Sequence, residues 1–203
     1  MRTVETKVYQ FSELSEDAKR TALDNFEPLT GYIWYEAYKS VKAFNDLFGT
    51  REGRHSWLDV QTGHINDNVL NLKSARLTAY LWNNYGDDLF TPVYRKSLEG
   101  ERKHNRVKIK TSSQSPYSVY YSGYKKSCEC PLTGVCYDMD LLKPILKAMH
   151  EPVKETFEDL LTECFENLRI AIENEIEYRN SDESKTEDIK SNGYEFTENG
   201  KIF

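Results

Sequence analysis

Cys128, Cys130 and Cys136 lie around a Pro/Gly turn in the run Cys-Glu-Cys-Pro-Leu-Thr-Gly-Val-Cys. Three thiolates at such a turn could hold zinc if Cys164 or His150 supplied the fourth ligand. The spacing is C-x-C followed by five residues and one more Cys, not a C-x-x-C knuckle, and no second pair follows. The expectation is therefore no metal and no other cofactor. Lys125 and Lys126 would favour a Cys128 thiolate as a nucleophile. No base or orienting acid goes with it: His55, His64, His104 and His150 are scattered, and no G-x-S-x-G, P-loop, H-E-x-x-H or dinucleotide glycine pattern occurs. The chain reads as a non-enzyme with no catalytic residue. Cys164 falls in an apolar helical stripe, where a small buried thiol is ordinary core.

The other chemistry is charge. Between Val93 and Lys126 nine Lys/Arg stand against two Glu, and from Glu151 onward fifteen Asp/Glu stand against six Lys/Arg. The basic stretch also carries tyrosines. Arg106, Lys108, Lys110, Lys125 and Lys126 could meet phosphates, and Tyr120, Tyr121 and Tyr124 could stack on bases or serve as protein anchors. Glu155, Asp159, Glu163, Glu166, Glu173 and Glu177 would form an acidic docking face able to enter a basic groove of a nucleic-acid enzyme. The net charge of −6 is thus sorted along the chain.

Two hundred and three residues with 38% hydrophobic and 13% aromatic content suit one globular domain with a tail. A mean hydropathy of −0.72 marks a polar surface. No apolar run approaches the roughly 18 residues of a membrane span, and the start MRTVETKVYQF lacks a signal peptide's apolar segment, which predicts a cytoplasmic protein.

Residues 4–11 read as a strand, and Ser15 as the cap of a helix with Glu16 and Asp17 in its first turn, ending at Pro28 and Gly31. Trp34, Ala37, Val41, Phe44 and Phe48 recur at helical spacing up to Gly49. Residues 56–61 read as a strand, and Ala75 to Trp82 as a helix closed by Gly86. Val107 and Ile109 alternate with Arg106, Lys108 and Lys110, and Tyr117, Val119 and Tyr121 with Ser118, Tyr120 and Ser122, so the basic middle predicts a strand pair. From Pro152 to about Tyr178 runs a long helix with Phe157, Leu160, Leu161, Cys164, Phe165, Leu168 and Ile172 on one side. A polar segment at 181–193 follows. Asn199-Gly200 then predicts a two-residue hairpin turn with Glu198 opposite Lys201 and Phe196 stacked on Phe203. The expected fold is a single α+β domain: a mixed or antiparallel sheet packed against the two long helices over 1–180, with residues 181–203 as a polar segment and C-terminal β-hairpin docked on it.

The stretches VYQFSELSEDAKRTAL, CPLTGVCYDMDLLKPI and EYRNSDESKTEDIKSNGYEFTENGKIF resemble a widespread group of phage and prophage proteins. These share an F-x-E-L-S-x-x-A-K start and a Y-E-F-T-E-x-G-K end, and are sometimes labelled antitoxins of a toxin–antitoxin stability system. The likeness covers about a third of the chain and carries over no catalytic residues. It implies a cytoplasmic phage protein that binds and neutralises a host or phage protein, as an antitoxin or as a counter-defence inhibitor such as an anti-CRISPR. The alternative is a nucleic-acid-binding regulator using the basic Tyr-rich strands 94–126.

Overall fold

The computed structural model describes residues 7–92, 94–97, 100–103, 106–110, 118–122, 124–126 and 130–203, and from 91 to 129 its backbone alone. In chain order these form β1 (Tyr9–Gln10), a 3-10 turn (Phe11–Glu13), α1 (Glu16–Asn25), α2 (Gly31–Phe48), β2 (Arg51–Glu52), β3 (Val60–Gln61), α3 (Asp67–Leu70) and α4 (Ser74–Leu89). The strands β4 (Phe90–Pro92), β5 (Tyr94–Ser97), β6 (Gly100–Lys103), β7 (Arg106–Lys110), β8 (Ser118–Ser122) and β9 (Tyr124–Lys126) follow. They lead to α5 (Tyr137–His150), α6 (Phe157–Asn180), α7 (Asp182–Asn192) and β10 (Glu195–Phe196). The class is α+β, mostly helical with small sheets. Instead of one sheet under two helices, the described strands pair as separate antiparallel two-stranded ladders. The chain groups into two units, Met1–Ile33 with Glu173–Phe203, and Trp34–Ile172, so the expected division at 180/181 lies within the first.

In the first unit, Ser15 accepts the Ala18 N–H at 3.3 Å and caps α1 as its place before Glu16 and Asp17 predicts. Ala18 and Ala22 of α1 pack with Phe11, Leu14, Phe26, Ile189 and Phe196 into one apolar cluster. The polar segment turns out to be helix α7. Ile189 is its lone apolar contribution to that cluster, which leaves no stripe to read, yet both ends are signalled. Ser181 accepts the Ser184 N–H, and Gly193, at φ 64°, closes the helix as the Tyr194 N–H returns to the Ile189 carbonyl at 3.2 Å.

The C-terminal hairpin forms in a different register from the expected one. Thr197 N–H donates to the Lys201 carbonyl at 2.8 Å and Gly200 N–H to that of Thr197 at 2.9 Å, so the loop is Glu198–Asn199–Gly200, closed by a glycine at φ 77°. Thr197, not Glu198, therefore faces Lys201. The slip sets Phe196 opposite Ile202 and turns Phe203 outward, 70% exposed. Phe196 also pairs with Tyr9 of β1 and sits edge-on to Phe11 at 6.0 Å. The loop is pressed against α1, where a side chain at Gly200 would collide with the Ala18 carbonyl.

In the second unit, the helices pack on one another. Ala37, Val41, Phe44 and Phe48 are buried as predicted, and Phe44 meets Phe165 edge-on at 5.5 Å. Trp34 departs from the expected stripe and is 43% exposed. Its neighbour Ile33, the last residue of the first unit's N-terminal part and about 100° around the helix from Trp34, is the one that is buried. Helix α4 extends through Gly86, which is buried, rather than stopping there. Thr78 donates to the Ala148 carbonyl at 2.8 Å and Trp82 Nε1 to that of Met149 at 2.7 Å, satisfying oxygens at the C-terminal end of α5 that have no helical partner. Of the segment read as a strand over 56–61 only Val60–Gln61 is one, paired with β2. Phe90 of β4 stacks on Trp82 at 4.8 Å.

Candidate functional site

Helix α6 carries the acidic face. Its start is set by a reciprocal cap: Thr156 N–H donates to Asp159 Oδ2 at 2.9 Å, and Asp159 N–H to the Thr156 hydroxyl at 3.1 Å. The Thr156 hydroxyl, then its backbone amide, holds the Asp159 carboxyl below the usual range. All seven apolar positions named from the sequence are buried. Glu155, Asp159, Glu163, Glu166, Glu173 and Glu177 are all exposed, as a period of 3.6 requires. Asp159 is engaged in the cap and Glu166 pairs with Arg169, which leaves Glu155, just before the helix, and Glu163, Glu173 and Glu177 along it as the exposed acids most open to a partner. Glu175, not singled out from the sequence, binds Arg179 Nε at 2.9 Å and receives the Tyr32 hydroxyl at 3.3 Å.

The basic strands form the predicted pair. Register sets Arg106 opposite Ser122, Val107 opposite Tyr121, Lys108 opposite Tyr120, Ile109 opposite Val119 and Lys110 opposite Ser118. Tyr124, Lys125 and Lys126 form β9, opposite Pro92, Thr91 and Phe90. The side chains of all these cationic and tyrosine candidates lie outside the described residues, and so does Cys128.

Cys130 is half-buried, Cys136 exposed and Cys164 fully buried, and among the described residues no three His, Cys, Asp or Glu come together to hold a metal. Burial pushes the Cys164 thiol well above its usual range, so it stays protonated and inert. His150 lies edge-on to Phe90 at 6.1 Å. What the cysteine segment builds is a cage for Asp138. The backbone N–H groups of Leu132, Thr133 and Gly134 donate to Oδ2 at 2.9, 2.6 and 3.1 Å. The Ser40 and Thr133 hydroxyls donate to Oδ1 at 2.6 and 2.8 Å. Five donors on one carboxylate make this a structural lock of the Pro-Leu-Thr-Gly turn.

No protein-family model, curated protein or solved structure matches this chain.

A third surface was not visible in the sequence. Trp34, Tyr35 and Tyr38 are 43%, 61% and 39% exposed on α2. Trp57, from the loop between β2 and β3, lies edge-on to Trp34 at 6.2 Å and to Tyr38 at 5.6 Å. Lys39 Nζ sits 4.2 Å from the centre of the Tyr35 ring. The Glu52 carboxylate beside the Tyr38 hydroxyl raises its pKa. The signal that could have found this face is the wheel of α2: Tyr35 and Tyr38 lie off the line Ala37, Val41, Phe44, Phe48. A cleft of about 450 Å³ in the second unit is lined by Ser56, Leu58, Asp59, Thr162, Glu166 and Arg169 among others. Among the described residues, no helix is long and apolar enough to cross a membrane.

Proposed function

We propose that this chain is a non-enzymatic, phage-type cytoplasmic protein that binds and neutralises another protein, as a counter-defence inhibitor such as an anti-CRISPR or as an antitoxin. The observation that carries this reading is the division of α6: seven apolar positions are buried and every sequence-named acid is exposed. Such a helix turns its carboxylates away from its apolar side, which suits a basic groove on a host or phage nucleic-acid enzyme. The test is affinity capture from bacterial lysate before and after nuclease, with wild type and with Glu163, Glu173 and Glu177 all changed to Lys. A protein partner that survives nuclease and is lost with the variant is expected. Capture unaffected by the three reversals sinks the acidic-face reading.

The second reading, a nucleic-acid-binding regulator, is favoured by the β7–β8 register, which alternates Lys108–Tyr120 with Val107–Tyr121. If it holds, wild type binds single strands with steep salt dependence, and changing Lys108, Lys110, Lys125 and Lys126 to Glu abolishes binding.

A further inference from the structure

The strand pair β5–β6 carries an opposition of charge that sheet pairing alone does not favour. Its register sets Tyr94 opposite Lys103, Arg95 opposite Arg102, Lys96 opposite Glu101 and Ser97 opposite Gly100. Because directly opposed residues share a face and successive pairs alternate, Arg95 and Arg102 stand on one face with Ser97 and Gly100. Lys96 and Glu101, matched in charge, take the other with Tyr94 and Lys103. Directly opposed residues have Cβ atoms about 5 Å apart, where like charges repel and weaken the pairing. A register slipped by one residue would set Glu101 opposite Arg95 and remove that cost. Glu101 is the one acid among the described residues of β5 to β8, so no carboxylate of these strands shares the arginine face.

Two opposed guanidiniums suit an anion. Each offers a planar fork of N–H donors matched to the oxygens of a phosphate or a carboxylate, and one phosphate held by both relieves the repulsion that the register creates. The next strand pair narrows the choice of anion. Two residues separate Lys103 at the end of β6 from Arg106 at the start of β7, which keeps their Cα atoms within about 11 Å. On β7–β8 one face holds Arg106, Lys108 and Lys110 with Ser118, Tyr120 and Ser122, and the other holds Val107, Ile109, Val119 and Tyr121. The three cations recur at every second residue, about 7 Å apart along the strand, close to the step between phosphates of an extended single strand. Tyr120, unlike Tyr121, shares their face and adds a ring on which a base can stack. A lone anion needs no such row, and an acidic peptide brings no base for the tyrosine. We infer that Arg95 and Arg102, opposed across β5–β6, clamp one phosphate of a single-stranded nucleic acid whose backbone continues along Arg106, Lys108 and Lys110. The clamp rests on the nucleic-acid reading and gives it a site outside the four lysines that test that reading.

The test is fluorescence anisotropy of the full chain with a labelled oligodeoxythymidine of about 20 nucleotides, from about 50 to 200 mM salt. Salt-sensitive binding is expected. Changing Arg95 and Arg102 together to Gln should weaken it on the order of tenfold and lower the slope of log affinity against log salt by about 0.7, the share of one phosphate on a single strand. A fall of about 1.4 would mean two separate phosphate contacts and would overturn the clamp. Arg102→Glu should weaken binding at least about tenfold while the melting temperature holds or rises, because it sets an opposite charge across from Arg95. A wild type that binds no strand even at the lowest salt overturns the inference together with the reading beneath it. Binding that is lost when Lys108, Lys110, Lys125 and Lys126 become Glu, yet is unmoved by Arg102→Glu, overturns the clamp alone. Polyglutamate that displaces the strand as readily as unlabelled oligonucleotide does would assign the face to an acidic peptide, and the inference falls with it.

Discussion

Ser40 and Asp138, 98 positions apart in the chain, meet with the serine hydroxyl 2.6 Å from Oδ1, and both side chains are fully buried. The contact ties the middle of α2 to the start of α5 and holds the Pro131–Gly134 turn through a single carboxylate. Asp138→Ala leaves three backbone amides and two hydroxyls facing a cavity, and should cost about 3 kcal/mol or more. Ser40→Ala removes one donor and should cost about 1 kcal/mol. Urea denaturation with unchanged m-value measures both, and equal stability of Asp138→Ala and wild type would refute the lock.

The hairpin register makes opposite predictions for its two phenylalanines. Phe196 is fully buried between β1 and Ile202, and Phe196→Ala should cost about 3–5 kcal/mol. Phe203, turned outward, should tolerate alanine within about 0.5 kcal/mol. Gly200→Ala should destabilise by more than about 1 kcal/mol, since it meets both the left-handed backbone and the Ala18 carbonyl. Thermal melts of the three variants decide the register: comparable losses at Phe196 and Phe203 would favour the two-residue turn.

Helix α7 depends on its ends. Ser181→Ala should cost about 1 kcal/mol through the lost cap, and Gly193→Ala about 1–2 kcal/mol through its φ of 64°. Hydrogen exchange should show faster opening across 182–192 in both variants. Exchange identical to wild type in both would show that the caps do not hold the helix.

Cys164 should resist alkylation in the native protein while Cys136 reacts, with full modification only after unfolding. The pH dependence follows from the raised thiol pKa. In the unfolded chain the thiol loses its proton near its ordinary value, whereas the folded thiol keeps it to much higher pH. The unfolded state thus binds fewer protons above that ordinary value, and stability falls as pH rises there. Cys164→Ala should flatten that alkaline slope. An unchanged slope would mean that other groups carry it.

What the amino-acid order determined by itself is everything written in local periodicity or in a cap. The seven buried positions of α6, the Ser15 cap of α1 and the β7–β8 strand pair each need only neighbours within a few residues, because helix and strand periods project a face without help from the rest of the chain. The acidic positions of α6 were legible as exposed for the same reason. Helix α7 was signalled by Ser181 and Gly193 alone, since its one core residue makes no stripe. Tertiary structure decided what local patterns leave degenerate. Ile33 and Trp34 are neighbours on α2, and packing buried Ile33. Asn199-Gly200 allows two loop lengths, and the close approach of Gly200 to α1 with Phe196 between two strands chose the longer. The Asp138 cage joins donors from α2 and from the turn before α5, and the aromatic face joins α2 to Trp57 across a hairpin. Such contacts span long stretches of chain, and their free energy comes from burial and hydrogen bonding that exist only once the chain has closed on itself.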